Sequence, residues 1–121
     1  MWTLVRTQNE DFSYAVIKKG HRTGVHTHPD ANHYTCIMDG KAIAWLDGEM
    51  VELGAGDVLS IPIGVPHDVG GTEDLYCVDL NTPIFDPGKM EFMPEREEEI
   101  GAQFHTMPGW TEAVETAEAA E

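Results

Sequence analysis

The chain has 121 residues, 41% of them hydrophobic, which suits a single domain with its own core. Seven basic and 22 acidic residues give a formal net charge of −15, so we expect neither nucleic acid nor an anionic membrane surface as a partner. The sequence contains no apolar run of the ~18 residues that a membrane span needs, and its first residues lack the apolar stretch of a secretory signal. Two isolated cysteines, Cys36 and Cys77, suit a reducing compartment and a cytoplasmic location, although the sequence leaves a disulfide between them open.

Short runs rich in β-branched and aromatic residues, separated by glycine and proline, predict an all-β sandwich or barrel. The clearest hairpin has arms over residues 41–46 and 49–53, joined by Asp47-Gly48, which favours a tight turn because glycine accepts a positive φ. Further strands are predicted over residues 12–18, 58–61 and 75–80. Residues 62–66 contain two prolines and are predicted to form a loop, since proline cannot donate to a sheet ladder.

The last quarter of the chain differs in composition from the rest. Residues 91–121 hold nine acidic residues and one basic residue, and Pro87-Gly88 lies just before them. We therefore predict a β-domain over residues 1–90 and an acidic C-terminal extension over residues 91–121. Within the extension, residues 91–103 are predicted to form a short helix broken at Pro94. Residues 111–121 have helical propensity but almost no large apolar side chain, which favours a frayed or disordered solubilising tail.

Four of the six histidines occupy positions from which they could converge on one ion. His26 and His28 are two residues apart, so on a strand their side chains point to the same face. His33 follows four turn-forming residues, which can return it on a neighbouring strand that faces the first two. His67 comes directly after the proline-rich loop. Convergent neutral imidazoles suit Zn, Fe, Ni or Cu and tolerate Mn. His21 and His105 are predicted to be exposed.

The spacing around these four histidines resembles the cupin family, whose motifs are G(X)5HXH(X)3–4E(X)6G and G(X)5PXG(X)2H(X)3N. The residues at the positions of the first motif are Gly20, His26, His28, His33 and Gly40. Those at the positions of the second motif are Gly56, Pro62, Gly64, His67 and Gly71. Two identities differ, because His33 stands where the family usually has Glu and Gly71 stands where the second motif often ends in Asn.

The resemblance implies an all-β, antiparallel jelly-roll barrel, or double-stranded β-helix, over roughly residues 12–86, with a short C-terminal helical or disordered tail. It implies a barrel-facing side of one strand that includes His33, Thr35 and Ile37, with Cys36 on the outer side. It implies one divalent transition metal ion, Zn, Mn, Fe or Ni, as the cofactor. The implied ligands are His26, His28, His33 and His67. It also implies a homodimer formed through an edge strand.

The histidine at position 33 changes the charge of the implied metal site. Four neutral imidazoles leave the charge of a divalent ion uncompensated, which makes the ion a stronger Lewis acid and favours chemistry without a change of oxidation state. Alternatively, His33 lies outside the ligand set and leaves a site of three histidines with more open positions, as catalytic sites have.

Acid–base chemistry at such a site needs a side chain that carries a proton. The candidates are Tyr14, Tyr76, Asp79 and Asp30. Tyr76 and Asp79 are three residues apart on one predicted strand, so only one of them can face the cavity. Trp45 and Trp110 are predicted to serve packing rather than a pocket.

The resemblance implies a metal-dependent enzyme that binds a small molecule through a carbonyl, enol or carboxylate oxygen. The implied reactions are isomerisation, cyclisation, elimination or dioxygenation, and the fold alone does not choose among them. The alternative is a binding or sensing module that holds such a ligand without converting it.

Overall fold

The computed structural model describes residues 2–7, 10–83 and 90–120. The strands are β1 Trp2–Arg6, β2 Asp11–Ile17, β3 His26–Thr27, β4 Asn32–Asp39, β5 Lys41–Leu46, β6 Glu49–Gly54, β7 Val58–Ile61, β8 His67–Gly71, β9 Leu75–Thr82 and β10 Glu91–Phe92. A short 3₁₀ helix, Pro94–Arg96, precedes the helices α1 Glu97–Phe104 and α2 Trp110–Ala119. None of the described helices is long and apolar enough to cross a membrane.

The strands form two five-stranded sheets. The first sheet has the order β1-β2-β9-β4-β7 and the second the order β10-β3-β8-β5-β6. Neighbouring strands are antiparallel, and neighbours in a sheet are often distant in the sequence, as in β2 beside β9. This arrangement confirms the predicted all-β jelly-roll barrel.

The hairpin predicted from Asp47-Gly48 is present as β5 and β6. Asp47 has a φ of 46° and Gly48 a φ of 90°, so both turn residues adopt the left-handed conformation that a tight primed turn requires. The other predicted strands correspond to β2, β7 and β9, and residues 62–66 form a loop as predicted. Local sequence therefore places these elements to within one or two residues.

Alternating side chains of both sheets fill the space between them. The buried core there consists of Ile37, Ala42, Ala44, Leu59, Ile61, Val69, Leu75 and Cys77. Burial of one large aliphatic side chain such as Leu75 contributes about 1.5–3 kcal/mol to folding. On β4, His33, Thr35 and Ile37 are buried whereas Cys36 is half-buried, which confirms the predicted alternation.

The two helices cover the outer face of the second sheet. The residues buried in this second core are Val25, Ile43 and Trp45 from the barrel and Ile100, Phe104 and Trp110 from the helices. The contact is close, because a Cβ added at Gly70 would lie 2.7 Å from the Trp110 ring. Both tryptophans pack in the interior, as predicted. Because the helices cover the outer face of the second sheet, β5 is buried on both of its faces.

The described part of residues 111–121 is helical, which confirms the helical alternative predicted for the tail, whereas the favoured frayed or disordered state is wrong. Helix α2 begins at Trp110, one residue before the segment, and this side chain supplies the apolar anchor that the segment lacks. Ala113 is also buried, beside Gly20. Glu121 lies outside the described residues.

The helix predicted over residues 91–103 is shorter in the structure. Residues 91 and 92 form β10 and pair with β3, and Pro94 opens the 3₁₀ helix, so α1 starts at Glu97. The composition change at Pro87-Gly88 lies outside the described residues. The division of the chain at residue 90 therefore stays a prediction.

The two cysteines are free and point to opposite faces of the first sheet. Cys36 pairs with Val78 across the β4–β9 ladder, and Cys77 pairs with Ile37. Cys36 is half-buried on the outer face, whereas Cys77 is buried among core residues. The disulfide that the sequence left open is therefore excluded in this fold.

Candidate metal centre

The four motif histidines meet at the same end of the barrel, although they come from both sheets. His26 on β3 lies directly opposite His67 on β8 in the second sheet, and His28 follows β3. His33 lies near the start of β4 in the first sheet. All four side chains are buried, with between 2% and 8% of their surface exposed.

Three of the histidines form a tight cluster. His26, His28 and His67 each offer a ring nitrogen, and these nitrogens lie within 4.8 Å of one another. The ring centroids of His26 and His67 are 4.2 Å apart, and each of these rings is 5.0 Å from His28. Small ring rotations would bring the three nitrogens to bonding distance from one ion, since a Zn–N bond measures about 2.0–2.1 Å.

Backbone carbonyls orient two of these rings. The Nδ1 atom of His26 lies 2.7 Å from the Gly24 oxygen, and the Nδ1 atom of His67 lies 3.0 Å from the Val65 oxygen. A carbonyl can only accept a hydrogen bond, so each Nδ1 carries the proton and each Nε2 keeps a lone pair. Metal-binding histidines are typically supported in this way.

The charge state of the cluster also suits a metal. Burial, together with the neighbouring histidines, lowers the pKa of His28 to about 2 and that of His67 to about 3. Burial likewise lowers the pKa of His26. All three rings are therefore neutral at pH 7, which is the form that binds a metal ion. The residues present thus fit a divalent transition metal.

His33 lies beside this cluster with a different set of contacts. Its Nε2 atom is 2.9 Å from Thr35 Oγ1 and 3.4 Å from Asp79 Oδ1. Its ring centroid is 4.6 Å from that of His28 and 6.0 Å from that of His67. The buried Nδ1 atom makes no hydrogen bond with the residues that the structure describes. That His33 is a metal ligand therefore stays a prediction.

Only one of the candidate proton carriers lies beside the histidines. Asp79 is buried on the barrel-facing side of β9, next to His33. Tyr76 is on the opposite side of that strand, as the odd spacing predicts, and Tyr14 lies on the outer face with its ring 5.5 Å from Trp2. Asp30 lies in the loop between β3 and β4 and does not line the cavity.

A cavity of about 240 Å³ adjoins the four histidines. One part of its wall is polar and the other is aliphatic, so it can hold a small molecule that has an oxygenated end and a carbon end. The lining residues are Ala15, Val16, Ile17, Thr23, His26, His28, His33, Thr35, His67, Val69, Cys77, Asp79 and Met90. Burial raises the pKa of the Cys77 thiol to about 12, so this cysteine is not a nucleophile.

The sequence analysis missed an ionic network behind the cluster. The Arg22 guanidinium contacts the Asp68 carboxylate, and its Nη2 atom donates to Glu97 Oε2 at 2.9 Å. Asp68 is fully buried, and burial raises its pKa to about 6 although Arg22 opposes the shift. The position of Asp68 next to His67 was the only sequence signal.

The two histidines outside the motif, His21 and His105, are exposed as predicted.

Comparisons with known proteins agree with this fold. Residues 13–81 match the Cupin domain family, Cupin_2. Quercetin 2,3-dioxygenase of Bacillus subtilis (strain 168) is 41% identical over 49 residues, which cover 40% of this chain but only 14% of that enzyme.

Solved structures show the same architecture. KdgF from Halomonas sp. has a TM-score of 0.67 at 22% identity and covers 69% of this chain and 77% of its own. BH2720 from Bacillus halodurans has a TM-score of 0.66 at 18% identity and covers 70% of each chain. Likeness at these identities shows the fold alone. The family match, however, extends over more than half of the sequence and includes all four motif histidines, so the chain belongs to the cupin family.

Proposed function

We propose that this cupin is a metal-dependent enzyme acting on a small molecule that has a carbonyl, enol or carboxylate oxygen. The proposal depends on one observation: three buried, neutral imidazoles lie together at a cavity. His26, His28 and His67 would hold one divalent ion, with Zn, Mn, Fe and Ni as the candidates. When bound there, the ion supplies Lewis acidity that polarises a substrate oxygen.

We propose His33 as the group that moves a proton. When its Nε2 atom carries the proton, it lies within reach of Thr35 and Asp79, and Nδ1 is left as a basic atom on a ring that lines the cavity. The Asp79 carboxylate would orient the ring and stabilise the imidazolium that forms when Nδ1 takes a proton from the substrate. A fourth-ligand role through the same Nδ1 atom is the competing assignment.

The size and lining of the cavity limit the substrate. A volume of about 240 Å³ is below the ~300–1,000 Å³ typical of sites for drug-sized ligands, so the substrate is small or only its reacting end enters. Aliphatic side chains of Ala15, Ile17 and Val69 suit the carbon part of such a molecule.

The neutral ligand set favours isomerisation, cyclisation or elimination, because no anionic ligand stabilises a higher oxidation state of the metal. Dioxygenation is the competing class. It is supported by the partial match to quercetin 2,3-dioxygenase, which spans a small fraction of that enzyme. Product analysis with and without dioxygen separates the two classes.

Elemental analysis of the purified chain tests the metal site directly. We expect about one transition-metal ion per chain, and loss of that ion when His26 and His67 are both replaced by Ala. His105→Ala is the matched control, because His105 is exposed and lies outside the cluster. No metal and no uptake on reconstitution would contradict the enzyme mechanism and leave ligand binding without conversion.

We also propose that the chain pairs with a second copy of itself through the outer face of the first sheet. The apolar and aromatic residues on this face are Phe12, Tyr14, Val16, Tyr34, Cys36, Tyr76, Val78 and Leu80. No outward-facing position of β2 or β9 carries a charged side chain, although the whole chain has a net charge of −15, so two copies can meet here without repulsion between acidic groups. The contact would therefore use a sheet face rather than the edge strand that the family resemblance implied.

A further inference from the structure

The carboxylate of Glu97, at the start of α1, reaches residues 22–25, the segment that leads into β3 and the histidine cluster. Its Oε1 atom accepts a hydrogen bond from the backbone N–H of Val25 at 2.6 Å. Its Oε2 atom accepts from Arg22 Nη2 at 2.9 Å. Val25 is fully buried and directly precedes His26. The Glu97 side chain of α1 thus contacts both Arg22 and Val25 in the segment before β3.

The same segment is held from its other side by β8. The Gly24 N–H donates to Asp68 Oδ1 at 3.1 Å, and Thr23 Oγ1 lies 3.2 Å from the same oxygen. Asp68 directly follows His67. Residues 22–25 therefore lie between Asp68, the neighbour of His67 on β8, and Glu97, the first residue of α1.

This segment sets the orientation of His26. The carbonyl that accepts from His26 Nδ1 belongs to Gly24, which directly precedes Val25, one of the two residues that Glu97 contacts. A rotation of the peptide plane after Gly24 moves this carbonyl together with the Val25 N–H, since both belong to the same peptide group. The Glu97 carboxylate fixes the N–H of that group and so fixes the carbonyl that aims the His26 ring.

We propose that Glu97 is a positioning residue of the metal centre, and that α1 is thereby part of the site rather than a cover over the barrel. Through the Gly24–Val25 peptide, Glu97 holds His26 Nε2 toward His28 and His67. Because this role presupposes the metal site proposed above, the test must distinguish failure of the site from failure of the Glu97 role.

Glu97→Gln is the informative substitution, because it keeps the size of the side chain but replaces one carboxylate oxygen by an NH2 group. The remaining oxygen cannot take the place of both oxygens that accept from Val25 and Arg22. The neighbouring Glu98→Gln is the matched control, since Glu98 is exposed on the same helix and its replacement changes the net charge equally. The full chain is stripped of metal with a chelator and titrated with Co²⁺ as a spectroscopic probe. Affinity is measured by competition, and the visible absorption spectrum is recorded.

We expect Glu97→Gln to weaken Co²⁺ binding about tenfold or more and to change the visible spectrum, as loss of a supporting contact behind a ligand typically does. We expect Glu98→Gln to match the wild type in both. If Glu97→Gln lowers only the melting temperature and leaves affinity and spectrum unchanged, the role of Glu97 is merely structural and the proposal is overturned. If the wild type itself fails to bind Co²⁺ or Zn²⁺, the metal site fails instead.

Glu97→Asp covers the case in which the amide variant does not fold. The shorter side chain keeps the charge but cannot span from α1 to both Val25 and Arg22, so an intermediate loss of affinity is expected. Wild-type affinity in a folded Glu97→Asp variant would also overturn the proposal.

Discussion

At the scale of single residues, His33 is where the chain departs most from the cupin motif. Its Nε2 atom contacts Thr35 and Asp79, whereas the rings of His26 and His67 donate from Nδ1 to backbone carbonyls. These different partners suit the histidines to different chemical roles. The carbonyl-supported rings fit ligation, and the ring beside a carboxylate fits proton transfer.

This difference predicts unequal effects of replacing the histidines. We expect His33→Gln to retain about one metal ion per chain and His67→Gln to lose it, because only His67 belongs to the tight cluster. On a substrate that is turned over, His33→Gln should lower kcat by about 10²–10⁴-fold, the usual contribution of a general base. Metal titration of both variants is the measurement. Equal loss of metal in the two would instead make His33 the fourth ligand.

The cluster also predicts how the metal-free protein responds to acid. The folded-state pKa values of His26, His28 and His67 lie below the ordinary value of 6.5, so below about pH 6.5 the unfolded chain takes up protons that the folded chain does not. Stability must then fall as the pH falls. Asp68 acts in the opposite direction, because its raised pKa of about 6 adds stability as the pH falls, but it is one group against three.

We therefore expect the melting temperature of the chelator-treated protein to drop between pH 7 and pH 5. A His67→Asn variant should show a shallower drop, because one of the three groups is gone. A melting temperature that stays level or rises toward pH 5 in the wild type would show that the buried histidines take up protons in the folded state.

At the scale of elements, the C-terminal helices contribute a second core. Trp110 at the start of α2 packs its ring against Gly70 of β8, and only 2% of its surface is exposed. Helix α2 is otherwise poor in large apolar residues, so its position depends mainly on this side chain, with smaller contacts from Ala113 and Val114.

Replacing Trp110 by Ala should therefore destabilise the protein by about 3–5 kcal/mol, the usual range for removing a buried large aromatic ring. Glu112→Ala, an exposed position on the same helix, should change stability by less than about 0.5 kcal/mol. Urea denaturation followed by circular dichroism gives both values. A Trp110→Ala variant as stable as the control would show that α2 does not support the barrel.

Across the protein, acidic charge and apolar surface lie on different faces. The C-terminal segment over the second sheet, residues 91–121, holds nine of the 22 acidic residues, whereas the outward-facing positions of β2 and β9 carry no charged side chain. Single exposed hydrophobic residues are common, but a continuous apolar face on a strongly acidic chain indicates a contact surface.

We expect the wild type to be a dimer of twice 13.4 kDa by light scattering. Val78→Glu, at the centre of the face on β9, should weaken the dimer about 100-fold, because it buries one unpaired carboxylate from each copy. Ala102→Glu adds the same charge at an exposed position of α1 and should leave the mass unchanged. A monomeric wild type, or a Val78→Glu variant that dimerises as well as the control, would contradict this use of the face.

Local patterns in the sequence were enough to predict strands β2, β5, β6, β7 and β9, the proline-rich loop, the Asp47-Gly48 turn and the histidine motif. Each of these depends on alternation, turn chemistry or spacing within a short stretch of chain. The sequence also placed Asp79 and Tyr76 on opposite faces of one strand, because the period of a strand is two.

The contacts between distant groups depend on the tertiary fold. His26 and His67 are neighbours because β3 pairs with β8, whereas His33 arrives from the other sheet beside Asp79. Glu97 accepts a hydrogen bond from the Val25 N–H, 72 residues away in the sequence. Trp110 packs α2 onto the barrel, although the sequence of that helix shows no apolar face. Such contacts follow from strand order and helix docking, which bring together residues far apart in the chain and leave no local pattern that could reveal them.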